Sequence, residues 1–578
     1  MPSALDAQID AVVAQITAPG GPLGVGRATV RGVDLPVFAA GPATMRDYLN
    51  FFFASNADKE FLVYNDERLT FADVHLAALK VAAVLQYRGI AKGDRVAIAM
   101  RNYPEWITAF CGALILGAVA VPLNAWWKGE ELAYGIAHSG TRLVIADEER
   151  ARRLAALPDF AVPVLTVRTA AAVAAGLGFE RLDDALATAA AAPWYLPPVD
   201  PDDDATIMYT SGSTGSPKGA VSTQRAIASG ALNYLVTGLA LLQLSAAAGA
   251  PAPGQQVMLL NVPLFHITGS VPVLLVSIAI GRKMVIMHKW DAGDALRLIA
   301  AEKATYFVGV PTMSLELMNH PDAGRHDLSS LVDIASGGAP RPPEHVDRIQ
   351  ATFPGKHPVQ GYGLTETNGV GAGIYRDNYL NKPSSTGRAA APLVEIGIFA
   401  ADSEGDALVR LSADAVGEVC IRSVANCRGY WRNEAATRAA FVADGWFRTG
   451  DLGRMDADDY LFIVDRKKDI IIRGGENISC QEVESALYAH PAVAEASVFG
   501  LPDERLGEIV GAVIFRKPGA ALEDEALTQF VARDLASYKV PAQVWFADEP
   551  LPKLGSAKID KVALRGVYRA LYAATEHV

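Results

Sequence analysis

Tyr209-Thr210-Ser211-Gly212-Ser213-Thr214-Gly215-Ser216-Pro217-Lys218-Gly219 gathers three glycines, five serine or threonine hydroxyls and one lysine into eleven residues. An apolar run, Ala205 to Met208, precedes it and reads as a buried strand. Glycines let backbone N–H groups come close to a phosphate, and hydroxyls and the lysine add donors and positive charge. The pattern is a triphosphate cradle of an uncommon kind. A Walker loop ends in Lys-Ser or Lys-Thr so that the hydroxyl meets magnesium. Here Gly219 follows Lys218, so a metal must be held elsewhere. A Ser/Gly-rich stretch is by itself a solvated linker; the strand before it and the single lysine at its end argue for a site.

The rest of the composition narrows the class. With 578 residues the chain is long enough for more than one domain. Hydrophobic residues at 51% and charged ones at 20% fit an ordinary globular protein. A net charge of −12 gives no support to nucleic-acid binding, which needs a basic face. Cys111, Cys420, Cys427 and Cys480 form no zinc or redox motif, and a reducing cytoplasm is the simplest setting. The N-terminus lacks a signal-peptide pattern, and the longest apolar run read, Val271 to Ile280, is too short to span a membrane.

Strand-like and helix-like patterns alternate from about Phe61 to Tyr362. Strands are expected at Arg95–Met100, Val119–Leu123, Leu143–Ala146, Val257–Pro263, Met284–Met287, Thr305–Val310, Leu331–Ser336 and Pro358–Tyr362, and a helix at Pro104–Leu116. This order predicts an α/β fold with parallel sheets, whose ligands bind beyond the carboxyl ends of the strands. Short strands expected at Leu408–Leu411, Glu418–Arg422 and Tyr460–Val464 suggest a β-rich subdomain over about 400–465. Ser479-Cys480-Gln481-Glu482 reads as a capping box opening a helix to about Ala489. The expected boundary separates a domain at 1–467 from a small one at 468–578. The segments 185–192 and 245–256 read as loops.

Further segments complete a constellation. Ser336-Gly337-Gly338-Ala339-Pro340 ends a strand in small residues that leave room for a flat ring, although alone it is a tight turn. Gly361-Tyr362-Gly363-Leu364-Thr365-Glu366-Thr367 offers an aromatic face, a hydroxyl and a hard carboxylate suited to Mg2+. Asp451, in Thr449-Gly450-Asp451, is able to accept two hydrogen bonds from a ribose diol or to close an Asx turn. Asp465-Arg466-Lys467-Lys468-Asp469 has the composition of a linker, and Leu551 to Lys558 places a lysine after a loop near the end of the sequence.

Taken together, in this order, these segments resemble the superfamily of adenylate-forming enzymes, which includes acyl-CoA synthetases, the adenylation domains of peptide synthetases and beetle luciferases. The resemblance runs from about Met45 to Arg565, and its most specific parts are the phosphate loop, the Tyr-Gly-Leu-Thr-Glu segment, the Thr-Gly-Asp turn and the run from Asp465 to Asn477. It implies a large N-terminal domain of layered βα sheets with the β-rich subdomain, and a small mobile α+β C-terminal domain. It also implies roles. Thr210, Ser211, Gly212, Ser213, Thr214, Gly215 and Lys218 would wrap the β,γ-phosphates. Gly338, Ala339, Tyr362 and Gly363 would enclose the adenine, and Asp451 and Arg466 would hold the ribose. Thr365 and Glu366 would meet phosphate and Mg2+, with Glu366 the metal ligand. Lys468 would be the hinge, Gly474, Gly475 and Glu476 would meet the pantetheine of CoA, and Lys558 would bridge the acyl carboxylate and the α-phosphate. Ala557 stands where the family usually has glycine.

His266 falls where amino-acid-activating relatives place an ammonium-binding Asp, so an α-amino acid is disfavoured. The residue resembles the gating position of acyl-CoA synthetases, although a plain packed histidine reads as well. The implied activity is ATP-dependent acyl-CoA synthesis from an apolar acid, a medium or long fatty chain ahead of an aryl or alicyclic one. The sequence stops soon after Lys558 with no carrier domain, so CoA is the expected acceptor and a separate carrier protein the alternative. The implied partners are the acid, ATP and CoA, without nucleic acid or an integral membrane segment, in a monomer or a homodimer.

Overall fold

The computed structural model describes residues 3–190, 192–210, 217–247, 254–339, 341–403, 407–474, 476–555 and 558–575. Two large sheets carry the alternating strands. One runs Gly429–Tyr430, Lys218–Thr223, Asp204–Thr210, Val119–Pro122, Arg95–Ala99, Thr141–Asp147, Val164–Val167, Glu180–Arg181, and is parallel from Asp204–Thr210 outward. The other runs Arg388–Ala389, Ala372–Tyr375, His357–Tyr362, Asp333–Gly337, Tyr306–Gly309, Val257–Leu260, Lys283–Ile286, Glu60–Tyr64, Glu67–Thr70, and is parallel from His357–Tyr362 to Glu60–Tyr64. Both sheets feed one core. Val96 and Ile98 of the first and Met258, Leu260 and Ala335 of the second pack with helices Phe71–Tyr87, Pro104–Leu116 and Gln224–Ala247.

Two smaller sheets follow. Glu395–Phe399, Gly417–Arg422, Trp446–Met455 and Leu461–Arg466 form an antiparallel four-stranded unit. After a turn at Lys467–Asp469, Ile471–Arg473, Glu476–Ile478, Val493–Asp503, Gly507–Arg516 and Gln543–Ala547 make the last sheet. Helices Cys480–Tyr488, Asp524–Val531 and Lys561–Thr575 accompany it.

Most expected strands fall within a residue or two of the observed ones, and helix Pro104–Leu116 matches at both ends. Proline at its first turn and Gly117 in the left-handed region fix those ends. Three expectations fail. The stretch 185–192 is not simply a loop: Leu182–Ala189 is helical, burying Leu182, Ala185 and Ala189 on one face, and alanine is the best helix former. Leu408–Leu411 makes only an isolated bridge, Arg410 to Phe399. Its outward side chain Val409 is 59% exposed and gains no packing that would extend the strand. Helix Gln224–Ala247 reaches into the stretch 245–256 that reads as loop. By length and composition it could cross a membrane, yet 61% of its apolar window is buried, as in a core helix.

Candidate active site

The phosphate-loop stretch joins two antiparallel strands, with Thr210 opposite Lys218. It is therefore a hairpin connection, unlike the strand–loop–helix of a Walker motif. Ser211, Gly212, Ser213, Thr214 and Gly215 lie outside the described residues. At its end Lys218 Nζ stands 5.2 Å from the Tyr430 ring centroid. Tyr430 comes from the edge strand Gly429–Tyr430, where it pairs with Ala220. Its hydroxyl donates to Glu366 Oε1 at 2.8 Å. Glu366, in the short turn Thr365–Thr367, is 8% exposed, and burial pushes its carboxyl above the usual range against the Tyr430 hydrogen bond. Thr365, Glu366 and Lys218 thus converge on the hairpin.

A second group meets at the carboxyl ends of Asp333–Gly337 and His357–Tyr362. Parallel pairing sets Gly337 beside Gly361 and Ser336 beside Gln360. Gln360 Nε2 donates to Ala339 O at 3.4 Å. The Tyr362 hydroxyl donates to Asp451 Oδ2 at 2.7 Å. The Arg466 guanidinium meets Asp451 Oδ1 at 3.1 Å, because Asp451 and Arg466 sit opposite each other in the four-stranded sheet. Burial raises the Asp451 carboxyl, opposed first by the Arg466 charge. Gly363 lies against Gly369, whose carbonyl oxygen would be 1.8 Å from any Cβ added there.

Lys558 reaches this group from the last domain. Gly338 has φ +76°, a conformation that suits glycine, and a Cβ on it would stand 3.3 Å from Lys558 Cε and 3.4 Å from Nζ. Burial and the nearby Arg466 charge push the Lys558 amine down to about 8, with Asp451 pulling the other way. His266 follows the second sheet's strand Val257–Leu260, and its Nδ1 accepts from the Thr268 N–H at 3.3 Å. Burial and the Lys558 charge push its imidazole down to about 3, so it is neutral at physiological pH. The structure therefore brings Gly338, Ala339, Tyr362, Asp451, Arg466, His266 and Lys558 to one end of the second sheet.

The other expected residues stand apart. Lys468 is exposed in the turn Lys467–Asp469. Gly474, φ +59°, turns the hairpin between Ile471–Arg473 and Glu476–Ile478, and Glu476 points to solvent; Gly475 lies outside the described residues. Sequence reasoning missed Tyr430 and Gln360. A polar residue inside the strand Val359-Gln360-Gly361 was a usable signal, whereas Tyr430 depends on a strand pairing that no local pattern announces.

A family model described as "AMP-binding enzyme" matches residues 52–431, and one described as "AMP-binding enzyme C-terminal domain" matches residues 482–558. The chain is similar to a long-chain-fatty-acid–CoA ligase, FadD13, of Mycobacterium tuberculosis, at 35% identity over 87% of this chain and 94% of that protein. It is similar to a feruloyl-CoA synthase of Amycolatopsis, at 34% identity over 86% and 93%. Among solved structures, the anthranilate CoA ligase AuaEII in complex with anthranoyl-AMP superposes with a TM-score of 0.78 at 26% identity, over 92% of this chain and 98% of that one.

Proposed function

Because the chain belongs to the AMP-binding enzyme family, an AMP-forming acid–thiol ligase with acyl-CoA ligase activity that uses ATP and CoA, we propose that it acts on an apolar monocarboxylic acid, with a medium or long acyl chain ahead of an aryl one. In the first half-reaction the acid's carboxylate oxygen attacks the α-phosphorus of ATP. The bond to the β-phosphate oxygen breaks, giving acyl-AMP and pyrophosphate. In the second, the CoA sulfur attacks the acyl carbon, its proton is lost, and AMP leaves with the electrons of the acyl–oxygen bond. The carboxylate is thereby given a phosphate leaving group in place of oxide.

The observation that carries this reading is Lys558 lying over Gly338 beside the Tyr362–Asp451–Arg466 group. In our reading Lys558 bridges the acid and the α-phosphate, neutralising charge that grows at the transition state. Asp451 and Arg466 hold the ribose diol. Gly338, Ala339, Tyr362, Gly363 and Gln360 enclose the adenine. Thr210 to Lys218 wrap the β,γ-phosphates.

The residues fit a magnesium ion: a buried carboxylate, Glu366, already oriented through Oε1 by Tyr430, with the Thr365 hydroxyl next in sequence. Glu366 and Thr365 would hold it, and when bound it would neutralise charge on the triphosphate. The neutral imidazole of His266 would border the acid without adding charge. Lys468 is the hinge between the domains 1–467 and 468–578, and Gly474, Gly475 and Glu476 meet the pantetheine arm after the hinge turns.

Support for a fatty acid comes from the FadD13 likeness and from His266 standing in place of an ammonium-binding carboxylate; the feruloyl and anthranilate likenesses support an aryl acid as the second reading. A buried ammonium with no counter-charge costs several kcal/mol, enough to reject an α-amino acid by about a hundredfold. Acid-dependent pyrophosphate release, measured with hexanoate, palmitate, ferulate and norleucine, with and without CoA, tests the proposal. We expect AMP and pyrophosphate with hexanoate or palmitate, and at least about a hundredfold less with norleucine. Production of ADP and phosphate would overturn the reaction, and equal rates for hexanoate and norleucine would overturn the acid assignment.

A further inference from the structure

Three residues before Lys558 the lysine loop touches the large domain at a place distant from the reacting groups in sequence. Trp126 lies in a turn just after strand Val119–Pro122, held by its own N–H donating to Asn124 Oδ1 at 2.9 Å. Its indole Nε1 donates to Gly555 O at 2.6 Å. The Gly555 Cα lies against the indole, so that a Cβ there would stand 1.7 Å from Cδ1 and 2.5 Å from Cγ. The Arg101 guanidinium carbon sits 3.7 Å from the indole centroid, a stacked arrangement that fixes the ring's plane.

Backbone pairing among the flanking residues ties this contact to the lysine. Leu554 N–H donates to Lys558 O at 2.7 Å, and Lys553 bridges Ile559, so Gly555 and Lys558 move together. On the other side Lys553 Nζ joins Glu495 Oε1 of its own domain at 2.9 Å and Glu316 Oε1 of the large domain at 3.4 Å. The Glu316 carboxylate also accepts from Trp290 Nε1. Two fixed points on the large domain, an indole and a carboxylate, therefore flank the loop.

We propose that Trp126 is a positioning residue for the first half-reaction: its indole receives Gly555 and thereby seats Lys558 over Gly338, and the contact breaks when the small domain turns for the second half-reaction. Trp126 touches no reacting group. It is 42% exposed, as an indole must be if it is to be covered and uncovered by a moving domain. Gly555 has an ordinary negative or extended φ, so a methyl group at that position has no backbone penalty and acts only through the ring it meets.

This proposal rests on the two-step reading above, and a double-mutant cycle separates the two. Acid-dependent ATP–pyrophosphate exchange reports the first half-reaction; CoA transfer from supplied acyl-AMP reports the second. Trp126→Ala should slow exchange by about tenfold, the loss expected of one hydrogen bond and a seat, while leaving transfer from acyl-AMP within about twofold. Gly555→Ala should slow exchange by about a hundredfold, because its methyl group drives the loop off the ring. The double variant should recover to the level of Trp126→Ala, since the obstacle is gone. Trp126→Phe keeps most of the ring without the donor, so Gly555→Ala should remain damaging beside it. Additive losses in the double variant, or equal losses in both half-reactions, would overturn the positioning role. Should Trp126→Ala fail to fold by circular dichroism, the Trp126→Phe pair decides: a Gly555→Ala change that costs no exchange beside Trp126→Phe, or losses equal in both half-reactions, would overturn the proposal. Absence of exchange in the unaltered protein would instead strike the two-step reading itself.

Discussion

At the scale of single residues the proposed chemistry turns on the charge of Lys558. A buried amine beside a guanidinium loses part of its affinity for a proton, and here burial and the Arg466 charge outweigh the pull of Asp451 to leave the group at about 8. Below that value the lysine is charged and able to stabilise the pentavalent transition state; as pH rises through it the charge is lost. The second-order constant of the first half-reaction reports the free enzyme. We therefore expect kcat/KM for pyrophosphate exchange to fall above about pH 8 with unit slope. In Lys558→Arg the guanidinium keeps its proton throughout, so the alkaline limb should vanish even though the plateau is lower. His266, at about 3, contributes no inflection near neutrality, although an unperturbed imidazole would titrate there. pH profiles of the unaltered protein and of Lys558→Arg check the assignment; an alkaline limb that survives in Lys558→Arg would place the titrating group elsewhere.

At the scale of elements the decisive piece is the turn between the last two sheets. Asp465 anchors one side of it: its carboxylate accepts from the Ser479 hydroxyl at 3.1 Å and the Gln481 N–H at 3.2 Å, tying strand Leu461–Arg466 to the start of helix Cys480–Tyr488. The turn is closed by Asp469 N–H donating to Arg466 O, and Lys467 N–H donates to Gly450 O, both at 2.9 Å. Lys468 stands between them with its side chain largely exposed, partly desolvated beside Asp469 and Arg466. Proline fixes its own φ and pushes Lys467 away from the helical region, so a small loss is expected in the observed arrangement and a larger one in any step that must rotate this backbone. Lys468→Pro should shift the ratio of pyrophosphate exchange to CoA transfer by about tenfold or more in favour of exchange. An unchanged ratio would locate the hinge elsewhere. The parallel strands and helix Pro104–Leu116 were legible in the sequence because local apolar runs and end signals set them. The helix Leu182–Ala189 was not, because alanine-rich composition resembles linker; nor was Gln224–Ala247, whose N-terminal half is buried on nearly all sides and shows little periodicity. The motif residues Tyr362, Glu366, Asp451 and Lys558 could be read because they stand in compact local patterns. Tyr430 and Trp126 could not be ranked, since their partners, Glu366 and Gly555, are supplied by sheet order and domain docking; Gln360 carried the signal of a polar residue inside an apolar strand, its partner Ala339 set by the neighbouring strand.

At the scale of the whole molecule, one site must serve two reactions with opposed demands. Forming the acyl-adenylate needs positive charge at the α-phosphate; attack by a thiol needs that same space open. In the observed arrangement Lys558 lies over Gly338, where the proposed α-phosphate site would be, and Gly474 and Glu476 are exposed to solvent. The two features lie on the same small domain, so in the proposed reading a single rotation would exchange them, and closure in each position would keep water from the mixed anhydride. Lys558 should then matter to one half-reaction alone. Lys558→Ala is expected to slow acid-dependent pyrophosphate exchange by roughly 10²- to 10³-fold, the scale of losing one preorganised donor to a growing negative charge. Transfer from supplied acyl-AMP to CoA should stay within about threefold of the unaltered protein, because the lysine has left the site by then. Both rates are measurable on one preparation. If both fall together, Lys558 supports the structure of the site in each state, and the division of the two reactions between two domain positions cannot rest on it.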